Sequence, residues 1–268
     1  MGARVAMRAF KRWFRRWQAL RAARPQLEAC RPHAERLFGG PVTWRRTGGC
    51  GRDVVCLALR EGRPAGVLRV TSPGSRPTDL AKRGNLPFVP LAPEAKIERE
   101  WQAYAAGFPA GLTPQPLWRD GYALLCAYVD GAPLKREAEE GRAAYLALAA
   151  EALPQIARLH RAGLTHMDMS LSNILRERSG GYRFVDFEYG AAAGLTFEQQ
   201  GLYDYLRLLE SIWKYLADEE RKSVAATWGE AFRACAPEAV RAADLAPLRP
   251  ALGRILAAPE LASFFGAL

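Results

Sequence analysis

The sequence predicts an α+β protein with a β-rich first lobe and a mainly helical second lobe. Short apolar runs with strand-like alternation, separated by turns rich in glycine and proline, occupy residues 42–70. From Asp130 onward apolar residues recur at helical spacing, except in residues 163–190, where short apolar runs alternate with polar residues. The chain has 268 residues, 49% of them hydrophobic, which suffices for two compact lobes with a sizeable core.

This order of patterns divides the chain into three regions. Residues 1–40 are predicted to form a basic, amphipathic helical extension at the N-terminus. Residues 41–129 are predicted to form the β-rich lobe with one helix, and residues 130–268 the helical lobe. The third region contains the short strands expected within 163–190.

The predicted elements follow from periodicity and from the positions of glycine and proline. The extension is expected to hold a helix at residues 5–22, ended by Pro25, and a second short helix at residues 26–38. Residues 71–93 are rich in proline, glycine, serine and basic residues, which predicts a long exposed loop. The other predicted elements of the first lobe are strands at Val42–Arg46, Val54–Leu59, Ala65–Val70, Leu117–Trp118 and Tyr122–Tyr128, and a helix from Pro93 to Ala106.

Charge and cysteine content narrow the function class. Eight basic residues precede the first acidic residue, Glu28, and they account for most of the net charge of +10. A protein body that binds nucleic acid is expected to carry its own basic face, so no nucleic-acid partner is predicted. The five cysteines are odd in number and include no C-x-x-C pair, which argues against a disulfide framework or a structural zinc site. A cytoplasmic location fits this cysteine usage.

The first predicted helix carries an aromatic stripe opposite a face that is nearly all arginine. A basic helix with tryptophan suits the surface of an anionic membrane, where each basic group contributes roughly 1 kcal/mol. We therefore expect residues 1–24 to contact the inner face of the cytoplasmic membrane peripherally. The alternative is that the stripe packs on the protein's own β-rich lobe. The stripe consists of Val5, Phe10, Trp13, Phe14, Trp17 and Leu20.

The chemistry is concentrated in two short segments of the second lobe. The first runs from His166 through Asp168 to Asn173, and the second contains Asp186 thirteen residues later. Transfer of a phosphoryl group needs a carboxylate facing the attacking hydroxyl, a role that Asp168 can take. Magnesium prefers hard oxygen ligands, which the amide of Asn173 and the carboxylate of Asp186 offer. A strand–loop–strand between the two would bring these ligands together.

These segments, H-x-D-x-x-x-x-N followed by D-F-x, resemble the catalytic loop and metal-binding motif of the protein-kinase-like superfamily. The resemblance spans about residues 42–215 and implies a bilobal fold that binds ATP and Mg²⁺. It implies a catalytic role for Asp168 and metal binding for Asn173 and Asp186. It also implies that Asp204 supports the catalytic loop from a later helix, without taking part in the chemistry.

The resemblance also assigns roles in the first lobe. Gly49 and Gly51 would belong to a loop that covers the phosphates. Arg69 stands at the end of the third strand, where kinases place a lysine, and Glu100 would pair with it. Cys126 and Tyr128 lie in a segment resembling the hinge that binds adenine. Alternatives to these assignments are Lys82 or Lys96 in place of Arg69, and Glu98 in place of Glu100.

Several features differ from conventional protein kinases. Ser170 stands two positions after Asp168, where protein kinases usually carry a lysine, the metal motif reads Asp-Phe-Glu, and no Ala-Pro-Glu segment follows. Size and lobe order resemble the lipopolysaccharide core kinases, which implies a sugar acceptor such as Kdo or heptose. Choline-, ethanolamine- or aminoglycoside-type kinases are the alternative. A pseudokinase that only binds is a second alternative, favoured by Arg69 alone.

Overall fold

The computed structural model describes residues 2–49, 53–71 and 86–266, which fold as an α+β protein in two compact units. Of these residues, the first unit holds 2–49, 53–71, 91–104 and 114–129. The second unit holds 86–90, 105–113 and 130–266. The α+β class is therefore confirmed, and the last change of unit along the chain falls at residue 130.

The N-terminal segment forms one continuous helix, α1, from Gly2 to Phe38, with Pro25 and Pro32 inside it. The predictions that Pro25 ends a first helix and that residues 26–38 form a second one are therefore wrong. An internal proline removes a backbone hydrogen bond at a cost of about 3 kcal/mol. Burial of an apolar face against the sheet of the first unit offsets this cost. The buried residues of that face are Ala19, Ala23, Leu27, Cys30 and Ala34.

The first unit contains a five-stranded antiparallel sheet in the order β1-β2-β3-β6-β5. The predicted strands are all confirmed, within a few residues of their expected ends. Helix α2 comes after the first three strands, and its bounds agree closely with the predicted ones. A 3-10 turn, Phe108–Ala110, follows it. The elements are β1 Val42–Gly48, β2 Val54–Arg60, β3 Arg63–Val70, β4 Phe88–Pro90, which belongs to the second unit, α2 Pro93–Gly107, β5 Pro116–Asp120 and β6 Ala123–Ala127.

The second unit is mainly helical, with a three-stranded antiparallel sheet in the order β7-β8-β9. Its strands are β7 Gly131–Pro133, β8 Ile174–Glu177, β9 Tyr182–Phe184 and β10 Tyr189–Ala191. Its helices are α3 Leu134–Glu139, α4 Tyr145–Arg161, α5 Phe197–Ile212, α6 Asp218–Cys235, α7 Glu238–Arg241, α8 Gly253–Leu256 and α9 Ala262–Gly266. Three 3-10 segments, Trp213–Tyr215, Ala246–Ala251 and Pro259–Leu261, connect the later helices.

Helix α5 lies at the centre of this unit and positions the candidate site. It begins with a capping box in which the Thr196 hydroxyl accepts from the Gln199 amide and the Gln199 side chain accepts from the Thr196 amide. Ten of its residues are buried, including the charged Asp204 and Glu210. An aromatic cluster of Tyr205, Trp228, Phe232 and Phe264 anchors it, with ring centroids 5.2 to 5.7 Å apart. A helix enclosed in this way is a rigid support for side chains that point at a neighbouring loop.

A strand lies at the end of the segment predicted to be a long exposed loop. Phe88–Pro90 forms β4, which pairs with β10 in antiparallel register, so the loop prediction for residues 71–93 is wrong at this end. The ring of Phe88 contacts Tyr189 edge-on at 5.0 Å and stacks with Tyr203 at 6.2 Å. Three residues bounded by prolines show no strand periodicity, and the pairing depends on a partner 100 residues away. Residues 72–85 lie outside the described part of the chain.

Candidate active site

The loop that starts at His166 is held by the carboxylate of Asp204 on helix α5. The backbone amide of His166 donates to Asp204 Oδ2 at 2.7 Å, and that of Met167 donates to Oδ1 at 2.8 Å. His160 Nε2 lies 3.1 Å from Oδ2, and Asp204 has no exposed surface. The predicted supporting role of Asp204 is therefore confirmed. Met167 has φ +65°, a conformation that non-glycine residues keep only where their surroundings fix it.

The imidazole of His166 connects the loop to the segment before Asp186. Its Nδ1 accepts a hydrogen bond from the Asp168 amide at 3.3 Å, so the proton lies on Nε2, which donates to the Val185 carbonyl at 2.9 Å. Only the neutral Nε2–H tautomer satisfies both contacts, because an amide can only donate and a carbonyl can only accept. The ring is fully buried and lies 4.5 Å from that of Phe187. His166 therefore has a structural role in this site.

Asp168 is fixed through its backbone, and its carboxylate is partly open to solvent. Its amide bonds to His166, and its carbonyl accepts from Asn173 Nδ2 at 3.0 Å. The side chain is 27% exposed. A carboxylate that is held at its backbone and reachable from outside can receive a hydrogen bond from an incoming hydroxyl.

Asn173 and Asp186 stand at the two ends of the β8–β9 hairpin, which confirms the strand–loop–strand predicted between them. Ile174 pairs with Phe184, and the Val185 amide donates to the Asn173 carbonyl at 3.0 Å, so the hairpin ends are joined. Because Asn173 donates through its amide nitrogen, its side-chain oxygen remains the atom suited to a cation. Asp186 adopts φ +72°, a second left-handed residue in this site.

This donor set fits magnesium brought in with a nucleotide. Among the described residues, no group of three or more His, Cys, Asp or Glu is arranged to hold a metal ion. Magnesium commonly binds through one or two protein oxygens, with the rest of its shell made of water and substrate phosphates. One carboxylate, from Asp186, and one amide oxygen, from Asn173, agree with that pattern.

Arg207 is a member of this site that the sequence analysis missed. Its guanidinium Nη2 lies 2.8 Å from Asp168 Oδ1, and the two side chains are 26% and 27% exposed. Arg207 follows Asp204 by three residues on α5, so the two residues share one face of the helix. That spacing was visible in the sequence once Asp204 had been assigned to the loop.

The first unit contains the predicted cation–carboxylate pair. Arg69 Nε lies 3.2 Å from Glu100 Oε2, and Glu100 is almost fully buried. The hydroxyl of Tyr104 donates to Glu100 Oε1 at 2.6 Å. Burial, together with the neighbouring Glu100, raises the pKa of Tyr104 well above its usual value, so its phenol remains a donor. Arg69 thus takes the place in this pair that the resemblance assigns to a lysine.

The alternatives to Arg69 and Glu100 have other partners. Lys96 Nζ lies 2.6 Å from Asp53 Oδ2, with both side chains mostly buried. Glu98 forms an ion pair with Arg119 and is 46% exposed. These ion pairs connect helix α2 to the sheet and to the residue before β2, and among them the Arg69–Glu100 pair has the most buried carboxylate. Lys82 lies outside the described residues.

The remaining predicted nucleotide contacts are only partly described. Gly49 has φ +110°, and a Cβ at this position would lie 2.0 Å from the Asp53 carbonyl, so the start of this turn requires glycine. Gly51 lies outside the described residues. Cys126 is buried within the sheet, which raises the pKa of its thiol to about 12.

The predicted adenine-binding segment uses some of its backbone donors internally. The amide of Tyr128 donates to the Ala65 carbonyl at 3.1 Å, and that of Ala127 donates to the Gln115 carbonyl at 2.8 Å. Adenine contact by Cys126 and Tyr128 stays a prediction, and it would have to use groups other than these two amides.

The predicted site residues are therefore divided between the two units. The second unit brings together Asp168, Asn173 and Asp186 through the loop and the hairpin. The first unit brings Arg69 to Glu100. Gly49, Cys126 and Tyr128 also belong to the first unit.

Comparison with known proteins leaves the family open, because no family model and no curated protein matches this chain. The roles of Asp168, Asn173 and Asp186 therefore depend on their chemistry and their positions.

Replacing Asp204 by asparagine removes one of the two acceptor oxygens that hold the loop. One backbone amide of the loop then loses its partner inside the core, so we expect the free energy of unfolding to fall by about 2–4 kcal/mol in urea titrations. Asp244→Asn is the matched control, because Asp244 accepts the Ala246 amide at an exposed position. Equal losses in the two variants would contradict the anchoring role of Asp204.

Replacing Arg69 by methionine removes the cation from a carboxylate that is 1% exposed. We expect a loss of about 3–5 kcal/mol in the free energy of unfolding, and a much smaller loss for Arg69→Lys, which keeps the charge. The control is Arg119→Met, whose partner Glu98 is half exposed and whose loss should cost less than about 1 kcal/mol. A similar effect of Arg69→Met and Arg119→Met would show that the buried pair is not required.

Proposed function

We propose that this protein is an ATP-dependent phosphotransferase of protein-kinase-like, bilobal fold that transfers the γ-phosphoryl group to a hydroxyl. The observation that carries the proposal is the grouping of Asp168, Asn173 and Asp186 around a loop anchored by a buried aspartate. Phosphoryl transfer depends on positioning and on neutralising charge, with little covalent chemistry by the protein. A strained loop held by buried hydrogen bonds supplies such positioning.

In this proposal Asp168 receives the hydrogen bond of the acceptor hydroxyl and directs its oxygen. The carboxylate is partly exposed while its backbone is fixed at the amide and the carbonyl, as the role requires. A chance acidic residue in a surface loop would not be expected to have both backbone groups bonded to side chains of the same loop.

Asn173 and Asp186 would hold Mg²⁺ through the amide oxygen and the carboxylate. The bound Mg-ATP supplies the transferable phosphoryl group and compensates its charge. The protein's own contribution is to hold these two oxygens at the joined ends of a hairpin, so that their separation is set by backbone pairing.

The pair of Arg69 and Glu100 favours an active enzyme over a pseudokinase. In the sequence, Arg69 is the one feature that favours a pseudokinase, which would bind without turnover. It is bonded to a buried glutamate on α2, the arrangement that the resemblance implies for the lysine of an active kinase. An arginine remains charged at all relevant pH values, so it can neutralise phosphate in the same place.

For the acceptor we propose a sugar hydroxyl of lipopolysaccharide core, such as Kdo or heptose, reached from the membrane surface. Among the stripe residues whose side chains the structure describes, Trp17 is 46% exposed. The face of α1 that packs on the sheet is a different one, made of small residues such as Ala19 and Ala23. This exposure favours membrane contact over packing of the whole stripe on the first unit, although Leu20 packs against the core.

Association at the membrane surface, rather than insertion, is the form of contact proposed. In the described part of the chain, no helix combines the length and the apolar character needed to cross a bilayer. A small-molecule acceptor such as choline or an aminoglycoside would need no membrane contact, which separates the two acceptor classes.

Replacing Asp168 by asparagine should remove turnover and leave nucleotide binding intact. We expect kcat to fall at least 100-fold while the Kd for Mg-ATP changes less than about twofold, because the residue contacts the acceptor and not the nucleotide. Asp186→Asn should raise the Kd for Mg-ATP about tenfold or more, because it removes a charged metal ligand. ATP consumption and calorimetric binding measure the two effects.

The assay uses four acceptors: core glycolipid, choline, an aminoglycoside and a generic protein. Asp244→Asn is the control for an exposed carboxylate that is remote from the loop. Turnover with one acceptor identifies the substrate class. Full activity of Asp168→Asn would overturn its assigned role, and no turnover with any acceptor alongside Mg-ATP binding would favour the pseudokinase.

Replacing Arg8, Arg12 and Arg15 by glutamine should weaken binding to anionic vesicles. At about 1 kcal/mol for each basic group, the partition coefficient is expected to fall about 100-fold. Substitutions are preferable to deletion of residues 1–24, because Ala19 and Ala23 belong to the buried face of α1. Co-sedimentation with vesicles containing anionic lipid, against zwitterionic vesicles, gives the measurement.

The matched control replaces three exposed arginines of the second unit by glutamine and so removes the same charge. They are Arg178, Arg233 and Arg249. That variant should bind anionic vesicles within a fewfold of the wild type. If the two triple variants lose affinity equally, net charge rather than the helix controls binding, and the membrane role of α1 fails.

A further inference from the structure

We propose that Arg207 is a positioning residue for the reaction, which orients the carboxylate of Asp168 toward the acceptor hydroxyl. The role rests on the proposed phosphotransfer and goes beyond it, because the resemblance assigns no such residue. The primary observation is the ion pair of Arg207 Nη2 with Asp168 Oδ1 at 2.8 Å, within the second unit.

Helix α5 holds the loop at two points. Asp204 accepts the amides of His166 and Met167, and Arg207, almost one turn later on the same face, bonds the carboxylate of Asp168. The first contact sets the path of the loop backbone. The second acts on the one side chain of the loop that is both acidic and open to solvent. A rotation of this carboxylate therefore requires breaking a contact with a rigid, buried helix.

The ion pair engages one oxygen of the carboxylate. Arg207 bonds Oδ1, so the second oxygen of Asp168 is the one suited to receive a hydroxyl proton in a hydrogen bond. Fixing the first oxygen defines the direction of the second, and a misplacement of about 1 Å can cost about 100-fold in rate. The guanidinium stays charged throughout, because arginine does not deprotonate in proteins, so it cannot compete for the acceptor's proton.

Arg207 also balances charge where the loop itself has no cation. Position 170 is serine, whereas conventional protein kinases carry a lysine there. The nearby hydroxyls of Tyr189 and Tyr203 are neutral, because burial raises the pKa of each well above its usual value. With Asp186 as a second carboxylate of this site, a cation from α5 offsets the excess of negative charge at the loop.

The alternative is that the pair only stabilises the fold. An ion pair with partly exposed side chains contributes little to the free energy of unfolding. Removing it should then leave stability and activity nearly unchanged, or lower the two together. A positioning role instead predicts a loss of kcat without loss of folded protein or of nucleotide affinity.

The test compares Arg207→Met and Arg207→Lys with a control, Arg254→Met. Arg254 of α8 pairs with Glu210 of α5 at 3.1 Å, so its substitution removes a different ion pair of the same central helix. We expect Arg207→Met to lower kcat about 100-fold, with the Kd for Mg-ATP within twofold and the melting temperature close to that of the wild type, because a partly exposed ion pair adds little stability. Arg207→Lys should recover kcat to within about tenfold of the wild type, because its ammonium can still bond one oxygen.

The outcomes separate this inference from the proposed function. If Asp168→Asn removes turnover but Arg207→Met does not, the phosphotransfer stands and the role of Arg207 is wrong. Equal loss of kcat in Arg207→Lys and Arg207→Met, with both variants folded, would contradict a role based on the ion pair. Absence of turnover in the wild type with every acceptor would overturn the proposed function and this role with it.

Discussion

The buried carboxylate of Asp204 is the interaction on which the candidate site depends. A carboxylate without solvent contact is stable only where hydrogen bonds replace its hydration, and here two loop amides and His160 do so. In turn, Met167 keeps a left-handed backbone only because those bonds hold it. Burial of the Asp204 carboxylate requires the loop amides as hydrogen-bond donors, and the loop conformation requires the carboxylate as their acceptor. The loop and its contact with α5 are therefore expected to form together on folding.

From Asp204 the constraint passes to the rest of the site through a chain of hydrogen bonds. His166 connects the loop to the Val185 carbonyl, and the Val185 amide connects to Asn173. Asn173 closes the chain by donating to the Asp168 carbonyl. Both ring nitrogens of His166 are used in this chain. Two residues of this site, Met167 and Asp186, have left-handed backbones, and each is adjacent in sequence to a member of the chain, His166 and Val185 respectively.

The sequence could predict those features that depend on the residue pattern within one helix, strand or hairpin. Alternating apolar residues predicted the five strands of the first unit, and helical spacing predicted α2. The spacing of Asn173 and Asp186 predicted the hairpin between them, since a short antiparallel pair returns the chain to its start. The pairing of Glu100 with Arg69 was predicted from the resemblance, and it is made because this glutamate lies on the buried face of α2.

What the sequence could not predict was decided by packing between distant segments. Pro25 would end an isolated helix, but the buried face of α1 stabilises the helix through it. The strand at Phe88–Pro90 has no periodicity of its own and exists because β10 offers free backbone groups beside it. Arg207 reads as one more polar residue on an amphipathic helix until the loop is placed against α5. In each case the local pattern is neutral or misleading, and only the partner segment determines the conformation or the contact.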